Sequence, residues 1–190
     1  MNAPNRQDPQ KKRMGYGRQY LDEEDVEAVV RALKSDWLTQ GSTIGEFENG
    51  LAQMFSARYS CAVSSGTAAL HLSGLALGWG RNDVVITTPI SFLASANCVR
   101  FCGAEVDFAD INRKTYTIDA SLLEKKLERC RREGKNPKAI VGVDYAGHPC
   151  DWQELKALAD RYRLQLVNDN CHAMGAEYLN EAGYAVKYAD

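Results

Sequence analysis

The sequence predicts an α/β fold in which helices cover both faces of a mostly parallel sheet. From about residue 59 onward, short apolar runs alternate with amphipathic helical patterns, the order typical of βαβ units. The apolar runs are nearly continuous, as expected of strands that are buried on both faces. The chain has 190 residues, which is long enough for one sizeable core.

Two helical patterns precede this alternation. The first covers residues 22–34, where apolar residues recur at spacings of three and four behind an acidic first turn. The second covers about residues 44–55 and again has its apolar residues on one side. Strands are predicted at residues 59–63, 83–87, 104–108, 139–143 and 164–167, and the helices between them at residues 67–77, 93–101, 121–132 and 151–162.

Composition and charge narrow the classes of function. Charged residues make up 25% and hydrophobic residues 45% of the chain, values typical of globular domains. The formal net charge of -2 argues against a surface that binds nucleic acid or anionic membranes. No apolar run reaches the roughly 20 residues of a membrane span, and the amino terminus lacks the apolar core of a signal peptide. We therefore expect a cytoplasmic protein with no nucleic-acid or membrane partner, and residues 1–14 are expected to form a disordered lead-in.

The cysteines argue against a metal centre. The chain has six, and their spacing includes neither C-x-x-C nor a paired Cys/His pattern of the zinc type. We expect no metal ligands among them and thiols that stay reduced.

A carboxylate follows the last predicted strand. The apolar run at 164–167 leads into Asp169, and His172 lies three residues further on. Open α/β sheets bind their ligands at the carboxyl ends of the strands. A carboxylate there suits a metal, a ribose hydroxyl or a protonated pyridine nitrogen such as that of pyridoxal phosphate. His172 suits either contact with a cofactor or a structural role.

Two further stretches follow predicted strands. Residues 64–70, Ser-Ser-Gly-Thr-Ala-Ala-Leu, open a helix, and the outward N–H groups of a helix start can bind a phosphate. An ordinary Ser/Thr N-cap explains the same residues equally well. Neither the Walker loop nor the dinucleotide glycine motif is present. Phe92, after the next strand, suits either stacking on a planar ring or packing in the core.

Four stretches together resemble the DegT/DnrJ/EryC1/StrS family of sugar aminotransferases, which have the type I fold of pyridoxal-phosphate enzymes. The resemblance runs from about residue 16 to the last residue. It implies that residues 15–190 form part of the large domain, truncated before the small domain. The stretches are Trp37-Leu-Thr-Gln-Gly41, Ser65-Gly-Thr-Ala-Ala-Leu70, Thr88-Pro-Ile-Ser-Phe92 with Ala96-Asn97, and Asp169-Asn-Cys-His-Ala-Met-Gly-Ala176.

The resemblance implies pyridoxal 5'-phosphate as cofactor and assigns a role to each matching position. Gly66 and Thr67 hold the phosphate, and Phe92 stacks on the ring. Asp169 pairs with the pyridine nitrogen, while His172 lies against the ring or its hydroxyl side. The full set of implied cofactor-binding residues is Gly66, Thr67, Ala68, Phe92, Asp169 and His172.

The resemblance also implies which residues face the substrate and where the catalytic lysine lies. Thr39 and Gln40 are expected on the substrate side. The Schiff-base lysine is expected beyond Asp190, so no catalytic residue is assigned within the chain, which is expected to be inactive alone. Lys187 is the only lysine after Asp169; it lacks the Ser-Phe-His stretch that precedes the family's lysine and is predicted to be a surface residue.

The resemblance also implies the substrate class and the assembly. The motifs are most similar to the branch of the family that aminates a UDP-linked 4-keto-6-deoxy-N-acetylhexosamine. The full-length enzyme would take its amino group from a donor, usually glutamate in this family, and would form a homodimer. Three alternatives stay open: a sugar dehydratase of the same family in which the lysine is replaced, a non-catalytic binding protein, and a nucleotide-binding α/β protein without pyridoxal phosphate.

Overall fold

The computed structural model describes residues 19–179 and 185–187. The chain divides into two compact units, residues 1–45 and 46–190. The predicted disordered lead-in at residues 1–14 lies outside the described residues, as does the side chain of Lys187. The disorder of residues 1–14 and the placement of Lys187 at the surface therefore stay predictions.

The first helix, α1 (Glu23–Leu33), begins with a reciprocal cap. The Asp25 N–H donates to Asp22 Oδ1 at 3.2 Å, and the Asp22 N–H donates to Asp25 Oδ2 at 3.1 Å. These bonds satisfy two N–H groups that have no partner within the helix, and the carboxylates also face the positive end of the helix dipole. The helix predicted at residues 22–34 is confirmed. The helix predicted at about 44–55 is confirmed as α2 (Ser42–Met54), which spans the boundary between the units.

The second unit contains a four-stranded parallel sheet, as the sequence predicts. After α2 the elements are α3 (Gly66–Ala76), β1 (Asp83–Thr87), α4 (Ala94–Phe101), β2 (Glu105–Phe108), α5 (Ala120–Arg132), β3 (Asn136–Val143), a 3-10 turn (Tyr145–Gly147), α6 (Trp152–Tyr162), β4 (Gln165–Asp169), β5 (Glu177–Leu179) and β6 (Ala185–Lys187). The strand order is β2-β1-β3-β4, and β5 and β6 form a separate antiparallel pair. No helix among the described residues is long and apolar enough to cross a membrane.

Helices pack on both faces of this sheet because successive strand residues point in opposite directions. On one face, Ile86 and Ile140 pack with side chains from α5 and α6. On the other, Val85 packs with side chains from α3 and α4. The first cluster includes Val84, Ile86, Leu123, Leu127, Ile140 and Leu155, and the second includes Leu70, Val85, Cys98, Val99, Ala139 and Val141.

The strand predicted at residues 59–63 is wrong. These residues have no regular structure, and Tyr59 is 79% exposed. The N–H of Ala62 donates to Glu48 Oε1 at 2.7 Å. This backbone N–H is therefore bonded to a side chain of α2 and is not available for pairing with a neighbouring strand. An apolar run becomes a strand only where a second strand pairs with it, and within the described residues none pairs here.

Gly142 on β3 gives a test of the packing between the sheet and α6. A Cβ atom at Gly142 would lie 2.6 Å from Trp152 Cη2 and 3.3 Å from Leu155 Cδ1. We predict that Gly142→Ala destabilises the protein by about 1–3 kcal/mol, because the indole ring must move within a packed core. Urea unfolding followed by tryptophan fluorescence measures this. Gly80→Ala is the matched control, since a Cβ atom there meets nothing within 4 Å; equal stability of the two variants would contradict the packing described.

Candidate active site

Asp169 lies at the carboxyl edge of the sheet and is buried. It is the last residue of β4 and pairs in register with Val143 of β3. Only 6% of it is exposed. The Ser95 hydroxyl donates to Oδ2 at 2.7 Å, and the Cys171 N–H donates to Oδ1 at 3.4 Å. These donors satisfy part of the buried carboxylate, and its other lone pairs can accept a further N–H.

The first turn of α3 lies against the segment that follows Asp169. Ser65 caps this helix: its Oγ accepts from the Ala68 N–H at 3.2 Å, and its carbonyl oxygen accepts from the Ala69 N–H at 3.0 Å. The N–H groups of Gly66 and Thr67 therefore stand at the open end of the helix. Ala68, also predicted to bind the cofactor, uses its N–H in the cap.

Gly66, the first residue of α3, lies close to the segment that follows Asp169. A Cβ atom at Gly66 would lie 3.2 Å from Cys171 Sγ, and Cys171 is two residues beyond Asp169. The structure thus brings the predicted phosphate site and the predicted carboxylate to one end of the sheet. A helix start that binds an anion and a buried carboxylate that accepts an N–H suit one ligand carrying both groups.

His172 is held by the turn that follows β3. Its Nδ1 accepts from the Ala146 N–H at 3.3 Å, so the neutral ring carries its proton on Nε2. Ala146 has a φ of 53° and Gly147 a φ of 84°. A Cβ atom at Gly147 would lie 3.0 Å from the carbonyl oxygen of His172, so glycine is required both by the close approach and by the left-handed backbone.

Phe92 lies in the loop between β1 and α4 and is 72% exposed. The alternative reading of this residue as a core phenylalanine is therefore wrong. Its ring is free to cover a planar ligand at this edge of the sheet. Thr39 and Gln40 belong to the first unit, where both are exposed and Gln40 has a φ of 55°.

Asp144 is a second buried carboxylate at the same edge, with 1% exposed. Its Oδ1 accepts from the Cys150 N–H at 2.9 Å and from Trp152 Nε1 at 3.1 Å, and its own N–H donates to the carbonyl oxygen of Asp169 at 3.1 Å. Burial raises the pKa of the Asp144 carboxyl, against the lowering effect of these donors. Asp144 thus holds the chain between β3 and α6 in place.

Ser95 is the site residue that the sequence analysis missed. It is fully buried on the first turn of α4 and donates to a carboxylate 74 positions away. The sequence offered little signal, because Ser91 precedes both the predicted and the observed helix, so its spacing of four residues from Ser95 does not place the two side chains on one helix face. Nothing local indicated which group the Ser95 side chain would meet.

Comparison with known proteins gives one family. The model of the DegT/DnrJ/EryC1/StrS aminotransferase family matches residues 19–187. A Campylobacter jejuni protein described as UDP-4-amino-4,6-dideoxy-N-acetyl-beta-L-altrosamine transaminase is 38% identical over 167 residues, covering 87% of this chain and 43% of the relative. The chain therefore spans less than half the length of the curated relatives it matches.

Solved structures that are similar to this chain also come from aminotransferases. Helicobacter pylori PseC, an aminotransferase involved in the biosynthesis of pseudoaminic acid, is 33% identical with a TM-score of 0.76, and the match covers 87% of this chain and 43% of that one. The PLP form of the sugar aminotransferase Spr1654 from Streptococcus pneumoniae is 27% identical with a TM-score of 0.75, and that match covers 84% and 43%. The fold is that of the large domain of pyridoxal-phosphate-dependent aminotransferases.

The reactivity of the Cys171 thiol gives a measure of the charge on Asp169 that needs no bound ligand. Cys171 is exposed, but partial desolvation of its thiol, together with the neighbouring Asp169 carboxylate, raises the thiol pKa to about 11. Because the thiolate is the nucleophile, we predict that Asp169→Asn lowers this pKa and accelerates alkylation of Cys171 by iodoacetamide severalfold at about pH 8. Peptide mapping by mass spectrometry measures the rate across pH. Asp160→Asn, which removes an exposed carboxylate on α6, should leave the rate unchanged; equal rates in both variants would contradict the described contact.

Proposed function

This chain belongs to the DegT/DnrJ/EryC1/StrS aminotransferase family, and from that premise we propose that it is the cofactor-binding part of a sugar aminotransferase. The enzyme would place an amino group on C4 of a UDP-linked 4-keto-6-deoxy-N-acetylhexosamine, with glutamate as donor. The activities named for the Campylobacter and Helicobacter relatives support this substrate class. The product would be a UDP-4-amino-4,6-dideoxy-N-acetylhexosamine of pseudaminic acid biosynthesis.

The observation that carries the proposal is the buried carboxylate of Asp169 at the edge of the sheet, beside the open start of α3. The family is pyridoxal-phosphate-dependent, and when bound this cofactor supplies an electron sink for breaking bonds at the amino-bearing carbon. Asp169 and the start of α3 fit its two ends. The carboxylate suits a protonated ring nitrogen, and the N–H groups of Gly66 and Thr67 suit a phosphate.

Each proposed cofactor-binding residue then has a defined role. Asp169 keeps a proton on the ring nitrogen by placing a negative charge beside it. Gly66 and Thr67 anchor the phosphate, so the ring is oriented before substrate arrives. Phe92 covers one face of the ring and excludes water from it. His172, with Nδ1 bonded to the Ala146 N–H, presents Nε2–H toward the ring or its hydroxyl side.

The remaining parts of the proposal concern the whole enzyme. The lysine that would hold the cofactor covalently is not assigned to any residue of this chain. Thr39 and Gln40 are assigned to the substrate side. The full-length enzyme is proposed to act as a cytoplasmic homodimer.

Pyridoxamine 5'-phosphate tests the cofactor site directly, because it binds without a covalent bond to lysine. We predict that Asp169→Ala weakens its binding about 10- to 100-fold, the cost of one hydrogen bond between charged groups. Thr67→Val keeps the backbone N–H but removes a hydroxyl that can also donate to the phosphate, so it should weaken binding of pyridoxamine 5'-phosphate but leave binding of pyridoxamine, which lacks the phosphate, unchanged. Isothermal titration calorimetry measures both ligands, and circular dichroism shows that each variant is folded. Unchanged affinity in Asp169→Ala would contradict the proposed function.

A further inference from the structure

We propose that Ser95 is a positioning residue for Asp169: its hydroxyl fixes the carboxylate in the one orientation that pairs with the ring nitrogen of the cofactor. The inference rests on the proposed function and adds to it a residue outside the predicted cofactor-binding set. Ser95 would act through Asp169 and would not itself touch the cofactor.

The contact between the two side chains is short and buried. Ser95 Oγ lies 2.7 Å from Asp169 Oδ2, with Ser95 fully buried and Asp169 only 6% exposed. Hydrogen bonds to an ionised acceptor are stronger than neutral ones, and water does not compete for this acceptor within the core. The bond also joins the first turn of α4 to the end of β4, across the edge where the ligand is proposed to bind.

The direction of the hydrogen bonds follows from counting protons. A carboxylate has no proton to donate, so the single hydroxyl proton of Ser95 must point to Asp169. Ser91 Oγ lies 2.5 Å from Ser95 Oγ. Since the Ser95 proton is already used, the single Ser91 proton must serve that contact, and it is shared with the carbonyl oxygen of Phe92, which lies 3.1 Å from Ser91 Oγ. The result is a chain of donors, Ser91 to Ser95 to Asp169, in which each bond polarises the next.

This chain restricts the rotation of the Asp169 carboxylate. Among the described residues, the other hydrogen bonds to its oxygens come from Cys171. The Cys171 N–H donates to Oδ1 at 3.4 Å, which is long for an N–H donor, and the Cys171 thiol, a weak donor, also bonds to the carboxylate. Without Ser95 the carboxylate would keep only these weak bonds and could turn about its last torsion angle. A buried carboxylate that has lost its donor is also less stable when ionised, so it would hold a proton on the ring nitrogen less well.

Ser95 can be altered with little change of volume. Ser95→Ala removes one oxygen atom and breaks both bonds of the chain. Ser95→Thr keeps the hydroxyl and should restore the bond to Asp169. Ser91→Ala removes only the outer donor and should have a smaller effect than Ser95→Ala. Ser73→Ala is the matched control: Ser73 is a serine on α3 whose hydroxyl donates to the carbonyl oxygen of Ala69 at 2.8 Å, within its own helix.

The test is nitrogen NMR of pyridoxamine 5'-phosphate labelled with nitrogen-15 in the ring and bound at saturation to the 190-residue chain. The ring-nitrogen shift distinguishes the protonated from the neutral ring and does not depend on turnover. We expect a protonated ring in the unsubstituted chain and in Ser73→Ala. In Ser95→Ala we expect a shift toward the neutral ring and affinity weaker by about tenfold, with Ser91→Ala intermediate.

Each outcome supports the inference or overturns it. A shift in Ser95→Ala that Ser95→Thr reverses supports it. A protonated ring in Ser95→Ala, even with a lower melting temperature, would show that Ser95 serves the fold alone and would overturn the inference while the proposed function stands. If Ser95→Thr fails to fold, the graded shift from Ser91→Ala to Ser95→Ala decides the matter. If the unsubstituted chain does not bind the ligand, the proposed function fails and the inference fails with it.

Discussion

The parallel pairing of β1, β3 and β4 determines where the two buried carboxylates of the site, Asp144 and Asp169, lie. The carboxyl ends of these strands meet at one edge, and the pairing of Val143 with Asp169 brings the ends of β3 and β4 level. The Asp144 N–H extends that pairing by donating to the carbonyl oxygen of Asp169 at 3.1 Å. Because the central strands are buried on both faces, a shift of one residue would exchange the two faces of a strand, so the packing fixes the register.

The side chains at the carboxyl edge of the sheet form two layers that differ in burial. The lower layer consists of buried polar groups whose hydrogen bonds join different elements: Thr87 Oγ1 donates to the carbonyl oxygen of Val141 at 3.0 Å, Ser95 binds Asp169, and Trp152 binds Asp144. Leaving one such group without its partner costs roughly 1–3 kcal/mol, so these residues hold the lower layer rigid. The upper layer is accessible, and Phe92 is its main apolar group. A rigid base with exposed groups above it is the arrangement that a bound ring requires.

The sequence was sufficient to predict what depends on local pattern. The α/β class, the parallel sheet and the position of Asp169 at the end of a strand all follow from periodicity and strand order. The strand predicted at residues 59–63 was wrong because pairing depends on a partner far away in the sequence, and Glu48 takes the N–H of Ala62 instead. Ser95 was missed for the same reason: its bond to Asp169 links positions 74 apart. The pairing of β5 with β6 was also not predicted, since neither three-residue segment has a marked apolar pattern.

The proposed function requires that Asp169 and the start of α3 bind the two ends of one cofactor. A crystal structure of the chain with pyridoxamine 5'-phosphate would show whether they do. We expect the ring nitrogen within about 3 Å of an Asp169 carboxylate oxygen and the phosphate within about 3 Å of the N–H groups of Gly66 and Thr67. A phosphate bound elsewhere, or a ring whose nitrogen does not face Asp169, would contradict this proposal.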